Sequence, residues 1–205
     1  MNLIFLASFL AFILMVYFVI KKQQKLYKER EAEFWSRERR ADSVRRKSLD
    51  GLSYIKIPLE SFPTHLLNDD TRVLECIDVI ESLTSRKIVN LTGWSNTDLK
   101  LEYGTANLEV LTEYDQNYTV LVRTLQKWAD YLMEGGCQKE AATLMEFAVS
   151  TGTDISRTYY SLAEYYVSLG QYREIDRLRE VAKNLRSVNR DVIVRHLKES
   201  YPDVF

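Results

Sequence analysis

A chain of 205 residues, of which 46% are hydrophobic and 12% aromatic, is long enough for one ordinary domain together with a hydrophobic segment. The formal net charge of −1 conceals two oppositely charged parts. Residues 21–47 hold 11 Lys and Arg against 5 Asp and Glu, whereas residues 48–205 hold 17 against 24. The acidity of the larger part disfavours nucleic acid as its partner.

Residues 3–20 carry no charge, are rich in Leu, Ile, Phe and Val, and are followed directly by Lys21 and Lys22. At 1.5 Å per residue they reach about 27 Å, close to the ~30 Å thickness of the hydrocarbon layer. A cleaved signal peptide is the competing interpretation, but no basic residue precedes the apolar run and no small-x-small site follows it. We therefore predict a retained transmembrane helix over residues 1–20.

The basic residues beside this segment predict its orientation. Lys21, Lys22, Lys25 and Lys28 follow the apolar run, and no Lys or Arg precedes it. Because positive residues favour the cytoplasmic side, the N-terminus is expected outside and the C-terminal domain in the cytoplasm. The expected protein is a single-pass membrane protein, located in the plasma membrane if the source is bacterial.

Residues 21–50 form a basic neck that is predicted to be helical. They contain no Gly or Pro before Gly51, and Lys, Arg, Glu and Ala predominate, so the helix is expected to continue to Leu49 and to end at Asp50 and Gly51. Two interpretations stay open. The neck is either a solvated stalk, or a segment attracted to anionic lipid head groups with Phe34 and Trp35 in the membrane interface.

Residues that could carry catalysis or bind a metal are few and scattered. Cys76 and Cys137 each lie in a helical pattern without CxxC spacing, which is typical of reduced thiols, with a disulfide or a metal site as the alternative. Ser95 follows Gly93 and Trp94, as an exposed nucleophile can, but no buried strand precedes it and the chain has only 2 His. We predict no enzymatic activity, no metal and no cofactor.

The middle of the chain gives a mixed pattern. Residues 53–63 alternate apolar and polar side chains and include two prolines, which predicts an extended segment. Asp70 ends a capping cluster before a predicted helix that reaches Arg86. Residues 87–103 fit either a small hairpin or an ordered loop. A short helix is expected over residues 106–114, and residues 115–117 are expected to cap or kink the helix that follows.

Residues 122–186 contain one pattern twice, at an offset of 34 residues. The residues in register are Leu125 and Tyr159, Trp128 and Leu162, Ala129 and Ala163, Leu132 and Tyr166, Gly136 and Gly170, Ala141 and Ile175, and Ala148 and Ala182. A period of this length indicates a helix-turn-helix unit. The predicted helices cover residues 118–134, 139–149, 156–169 and 174–185, and Asp154 or Ser156 is expected to cap the third. A final capping helix covers residues 189–200, with Ile193 and Leu197 at packing positions.

The second copy resembles the tetratricopeptide (TPR) family. The residues that carry the resemblance are Tyr159, Leu162, Ala163, Tyr166, Gly170, Tyr172 and Ala182. The copy departs from the family pattern at Ile175 and Arg179, and the first copy has Gln138 where the family has an aromatic residue. The resemblance implies a mainly α fold, with TPR-like hairpins inside a helical domain at residues 51–205. Two repeats are fewer than stacking normally needs, so neighbouring helices are expected to supply the missing cover.

In TPR proteins the first helix of each hairpin lines a concave face. Carried onto this sequence, the non-core positions of those helices are Arg123, Gln126, Asp130, Arg157, Tyr160 and Glu164, which the resemblance implies as partner-binding residues. An ordinary solvated face is the alternative. Gln126 and Asp130 depart from the family's carboxylate clamp, so a peptide or helix of mixed charge is a more suitable ligand than a chaperone tail.

The expected function is that of a membrane-anchored adaptor or docking scaffold for a protein or peptide partner. A structural subunit of a membrane complex, without a free groove, is the first alternative. An enzyme of unknown type at the membrane is the second. The resemblance does not choose among them, because a fold does not fix a function.

Overall fold

The computed structural model describes the backbone of residues 3–202 and the side chains of residues 7–202. The helices are α1 (Leu3–Asp42), α2 (Thr71–Thr84), α3 (Asn96–Tyr103), α4 (Leu108–Glu134), α5 (Gln138–Ser150), α6 (Ser156–Ser168), α7 (Tyr172–Lys183) and α8 (Arg190–Ser200). Residues 3–202 contain no strand, so the predicted mainly α class is confirmed. The ends of the predicted span and of the predicted C-terminal domain, residues 1–2 and 203–205, lie outside the described residues.

Helix α1 is a single helix of 40 residues. It is the one described helix that is long and apolar enough to cross a membrane. The helix ends at Asp42 rather than at Leu49, because residues 44–49 leave the helical conformation and pair with another segment. In that pairing the backbone N–H of Lys47 donates to the carbonyl of Tyr103 at 3.0 Å.

The chain divides into two compact units. The neck unit comprises Met1–Lys47 and Ser95–Leu108, and the body unit comprises Ser48–Trp94 and Glu109–Phe205. Residues 95–108 lie within the predicted domain of residues 51–205 and pack with the neck. The chain passes from one unit to the other three times.

Helix α3 lies in the region that was predicted as a hairpin or a loop, so the hairpin interpretation is wrong. Ser95 and Asp98 form a reciprocal capping box at its start, and this pair nucleates the helix. Helix α3 then packs on the end of α1. Lys100 bridges Glu38 and Asp42 at 3.2 and 2.8 Å.

The contact between α1 and α3 is mostly electrostatic. Arg37 pairs with Asp98 at 2.5 Å, and the hydroxyl of Thr97 donates to Glu38. The hydrogen bonds from Thr97 and Lys100 lower the pKa of the Glu38 carboxyl. A carboxyl with a lowered folded-state pKa stabilises the fold above its unfolded pKa and loses that effect as the pH falls, so this contact is fully charged at neutral pH.

In the body unit, α2 runs antiparallel to α4. Near the start of α2, Arg72 pairs with Glu134 at 3.2 Å and lies over the ring of Tyr131 at 4.4 Å. Beyond its end, the carbonyl of Lys87 accepts from the side-chain amide of Asn117 at 3.0 Å. The buried stripe of α2 contributes Val73, Cys76, Ile77, Ile80 and Leu83 to the core, as its periodicity predicts.

Helix α4 is unbroken over 27 residues, so the predicted break at residues 115–117 is wrong. The side chains expected to cap a new helix bind the preceding loop instead. Asp115 accepts from the backbone N–H of Leu91 at 3.0 Å, while Asn117 binds Lys87. Their short polar side chains therefore serve tertiary contacts rather than a helix end.

The 34-residue register appears in the burial of α4 to α8. Leu125, Trp128, Ala129, Ala141 and Ala148 are at most 2% exposed, and so are their counterparts Tyr159, Leu162, Ala163, Ile175 and Ala182. The same register continues to Ile193 and Leu197 of α8, both fully buried. Helix α6 packs on α5, α7 and α8.

The two hairpin turns close with equivalent hydrogen bonds. The N–H of Cys137 donates to Leu132 at 2.8 Å, and that of Gln171 donates to Tyr166 at 2.9 Å. Gly136 and Gly170 precede these donors at φ of 79° and 69°, a left-handed conformation that glycine adopts without steric cost. Repetition of the turn therefore depends on the glycines and not on the chemistry of the residue that follows.

Neighbouring segments cover both ends of the hairpin array. The ring of Phe62, in the segment before α2, contacts Phe147 and Trp128 edge-on with centroids 5.3 and 6.0 Å apart. Helix α8 covers the other end through Ile193 and Leu197. Residues outside the two repeats thus complete one shared hydrophobic core.

We expect Ala163→Leu to lower the free energy of unfolding of the body by roughly 1–3 kcal/mol, because three extra heavy atoms must enter a fully packed interior. Ala163 is 0% exposed on α6, between helices that approach closely. Urea denaturation of the purified full chain in detergent, followed by circular dichroism, measures the change. Ser168→Leu, at an exposed position on the same helix, is the matched control. Equal stability of the two variants would contradict the assigned register.

Candidate partner-binding face

The six residues that the TPR resemblance selected lie on one side of α4 and one side of α6, which we call the polar face: Arg123, Gln126, Asp130, Arg157, Tyr160 and Glu164. Their spacing within each helix is three or four residues, so they share a side by helical geometry. Arg123, Arg157 and Glu164 are exposed, Asp130 and Tyr160 are half-buried, and Gln126 is buried. The polar face is therefore a mixture of accessible and inaccessible groups.

A chain of hydrogen bonds joins α4 to α6 beneath this face. The amide of Gln126 donates to Asp130 at 2.9 Å, and the guanidinium of Arg157 donates to the same carboxylate oxygen at 3.0 Å. The hydroxyl of Thr158 donates to the amide oxygen of Gln126 at 2.5 Å. The side chain of Gln126, at 7% exposure, thus links the two helices.

Thr158 is the member of this network that was not predicted. It is 1% exposed, and its partner Gln126 is 32 positions earlier in the chain. A buried hydroxyl without a partner costs roughly 1–3 kcal/mol in proteins, which is why the two polar side chains occur together. The sequence indicates this role only by position. Thr158 directly precedes the core residue Tyr159, and so it faces the preceding hairpin.

Tyr160 links α6 to α8. Its ring stacks on His196 with centroids 3.7 Å apart and an interplanar angle of 35°. Truncation of Tyr160 would therefore remove a packed ring as well as a potential partner contact. Arg123, Arg157 and Glu164 are better probes of the polar face because their side chains are exposed.

A cavity of about 370 Å³ borders the polar face at Arg123. Its lining residues are Thr92, Asp115, Tyr118, Thr119, Val122, Arg123, Asp154, Ile155, Ser156 and Asn189. Burial raises the pKa of the Tyr118 phenol to about 12, and the hydroxyl donates to the carbonyl of Thr151 at 3.2 Å. Tyr118 is therefore neutral and acts as a hydrogen-bonding group in the wall.

Asp154 belongs to this wall and does not cap α6. Its carboxylate accepts from the hydroxyl of Ser187 at 2.5 Å, and α6 begins without a side-chain cap. The prediction that Asp154 or Ser156 caps the helix is therefore wrong. The loop before α6 instead binds the loop before α8, one repeat further along the chain.

A second, smaller cavity of about 150 Å³ borders the polar face at Glu164. It is lined by Met133, Gln138, Ser161, Glu164, Tyr165 and Ser168. The two cavities contact opposite halves of α6, since Ser156 lines the first and Ser168 the second. A bound segment that followed α6 would meet Arg123 near one end and Glu164 near the other.

Ser95, the candidate nucleophile, has a structural role at the start of α3. The hydroxyl of Ser95 donates to Asp98 at 2.5 Å inside the α3 capping box. Cys76 and Cys137 are both free thiols, and burial raises the pKa of Cys76. Within residues 3–202 there is no group of three or more His, Cys, Asp or Glu that could hold a metal ion.

No family model, no curated protein and no solved structure matches the chain. The resemblance to TPR proteins thus rests on the repeated pattern of residues 122–186 alone. The described residues form an all-helical structure with one candidate membrane span.

Proposed function

We propose that the chain is a membrane-anchored docking protein whose TPR-like hairpins bind a segment of another protein on the polar face. The observation that carries this proposal is the exposure of Arg123, Arg157 and Glu164 beside the fixed network of Asp130 and Gln126. Arg157 is already held by Asp130, so it loses little side-chain entropy when it binds, which favours recognition. Arginine is also among the residue types that dominate interface energies.

The anchor is helix α1, which has the length and composition of a span. The four lysines after the apolar run favour a cytoplasmic body, as the positive-inside tendency requires. A docking protein of this kind recruits its partner to the membrane surface. The proposed activity is therefore localisation of a partner and not chemistry.

The partner segment should carry charges of both signs. Arg123 at one end of the polar face favours a carboxylate, and Glu164 at the other end favours an amine or a guanidinium. Such a segment fits along α6 in one direction only. The charge arrangement therefore predicts the orientation of the bound segment.

The test compares two double variants that each remove two positive charges from exposed positions. The first is Arg123→Ala with Arg157→Ala on the polar face. The second is Lys139→Ala with Arg173→Ala on α5 and α7. Both should change the free energy of unfolding by no more than ~0.5 kcal/mol per site, the usual range for surface changes. Only the first should weaken partner binding, by about 30-fold for each central contact worth ~2 kcal/mol.

Partner binding is measured by affinity capture from detergent-solubilised membranes, with quantitative mass spectrometry of the proteins that the wild-type chain retains. Loss of the same proteins with both variants, or with neither, would rule out docking on the polar face. A polar-face variant that unfolds early would instead indicate a buried surface. That outcome would favour the structural-subunit alternative.

A further inference from the structure

Helix α1 contains a seven-residue pattern twice beyond the apolar segment. Tyr27, Arg30, Glu31 and Phe34 form the first copy, in which an Arg-Glu pair lies between two aromatic residues. The second copy has the same Arg-Glu pair at positions 37 and 38, between Phe34 and an alanine. Residues seven apart on an α-helix differ by only about 20° in direction, so both copies lie along one side of α1.

Helix α3 occupies the second copy. Arg37 pairs with Asp98, Glu38 pairs with Lys100, and Ala41 is 0% exposed beneath α3. The pattern on α1 is therefore one against which another helix packs. Adjacent residues on a helix do not face each other. The arginine and the glutamate of the pattern therefore pair with residues of α3 and not with each other.

The first copy is uncovered. Tyr27 and Phe34 are 69% and 54% exposed, although they lie on the same side of α1 that α3 covers further along. Within the described chain, Arg30 and Glu31 take part in no ion pair or side-chain hydrogen bond, unlike their counterparts. One side of α1 thus carries the same pattern twice. Helix α3 covers the second copy, and no described residue covers the first.

We propose that a second copy of this chain covers the first pattern, so that two α1 helices pair side by side just outside the membrane. In a parallel pair, Arg30 of each chain meets Glu31 of the other, and the aromatic rings of Tyr27 and Phe34 pack between them. This proposal goes beyond the docking function and does not depend on the polar face. It uses only the anchoring of α1, which gives both copies the same direction.

Charge distribution favours a second copy over other occupants. The neighbouring Arg30 and Glu31 are complementary to themselves under a two-fold axis parallel to the helices. The lysines that would repel a second copy, at positions 21, 22, 25 and 28, lie about 100° or more around the helix from this side. The like charges of the two copies are therefore kept apart.

The membrane itself is a poorer occupant. Phe34 follows Ile20 by 14 residues of unbroken helix, or about 20 Å, whereas the head-group layer adds only ~5–8 Å to each side of the hydrocarbon. An α1 helix that crosses the membrane therefore holds Phe34 in water. Burial of exposed aromatic rings there is driven by the hydrophobic effect, which does not act between helices inside lipid.

Cysteine cross-linking in native membranes tests the proposal on the full chain. The background is Cys137→Ser, since Cys76 is buried and needs no replacement. Tyr27→Cys and Phe34→Cys should each give a disulfide-linked species of twice the chain mass on mild oxidation. Ala32→Cys and Ser36→Cys, on the opposite side of α1, should give almost none. All four positions are exposed, so reactivity alone does not separate the two sets.

A charge exchange tests the ion pair. Arg30→Glu, combined with Phe34→Cys, places two glutamates opposite two glutamates and should abolish the cross-link. Further addition of Glu31→Arg restores complementarity with the signs exchanged, and should restore the cross-link. Three results would each overturn the proposal: equal cross-linking on both sides of α1, no cross-linking at any position, and cross-linking to a protein of another mass. The third would indicate a different partner helix.

Discussion

The variant Trp128→Ala should lose roughly 3–5 kcal/mol of the free energy of unfolding of the body, the range for large aromatic residues in protein cores. Trp128 is 0% exposed, and its ring contacts Phe62 of the segment that covers the first hairpin. The substitution leaves a cavity between α4 and that segment, which cannot collapse without loss of the Phe62 contacts. Urea denaturation of the full chain in detergent measures the loss.

Two further variants make this measurement specific. Trp35→Ala removes an indole that is 52% exposed on α1, and should leave the body unchanged within ~0.5 kcal/mol. Trp128→Phe retains a buried ring and removes an indole N–H that has no acceptor among the described residues, so it should cost less than ~1.5 kcal/mol. Losses of equal size at Trp128 and Trp35 would contradict the described core.

The variant Gly104→Ala should detach α3 from α1. Gly104 has φ of 87°, and a Cβ atom there would lie 2.3 Å from the carbonyl oxygen of Arg45. A methyl group therefore meets backbone that cannot rotate away, in a conformation that is already unfavourable for alanine. Strain and overpacking of this kind together cost about 2–4 kcal/mol, more than the few ion pairs of this contact can offset.

Hydrogen exchange of the amides in residues 95–108 reports this detachment, and should become faster by about 30- to 1,000-fold, as a loss of ~2–4 kcal/mol requires. Gly136→Ala is the control for conformation alone, because its φ is 79° and nothing lies within 4 Å of the added atom. That variant should cost about 1 kcal/mol in the body. Unchanged exchange at residues 95–108 in Gly104→Ala would mean that α3 does not pack as described.

The parts of the fold that could be predicted are those where one local signal dominates. The apolar run of α1, the stripe of α2 and the 34-residue register of α4 to α8 each give a periodic pattern, and each corresponds to a helix in the structure. The glycines at 136 and 170 indicated the turns for the same reason, because a left-handed residue is needed there.

The errors occurred where a tertiary contact decides the local structure. Helix α3 has only eight residues, and its two buried positions, Thr97 and Leu99, alternate as in a strand. Its capping box and its contacts with Glu38 and Asp42 make it helical, and those partners are about 60 positions earlier in the chain. Asp115 and Asn117 led to the opposite error, a predicted break in a continuous helix. Asp and Asn often begin a helix, but here they lie inside α4 and bind a loop.

The polar face was predictable by position and not by accessibility. The repeat register selects six residues by their side of the helix, but it cannot show that Gln126 turns inward to meet Thr158. It also cannot show that Tyr160 stacks on His196, since that contact depends on where α8 returns. Long-range pairing of polar side chains leaves no periodic trace in a sequence.

The chain passes between neck and body three times, which affects how a cut would release the body from the proposed membrane anchor. Residues 48–51 include exposed positions outside any helix, and a protease could cut there. The body would still be joined by peptide bonds to α3, which remains on α1 through Lys100, Glu38 and Asp42. Such a cut would convert a covalent anchor into a non-covalent one. Salt screens partly buried ion pairs much less than exposed ones, and Lys100 and Glu38 are each only 18% exposed, so the body would stay attached to α1 at physiological ionic strength.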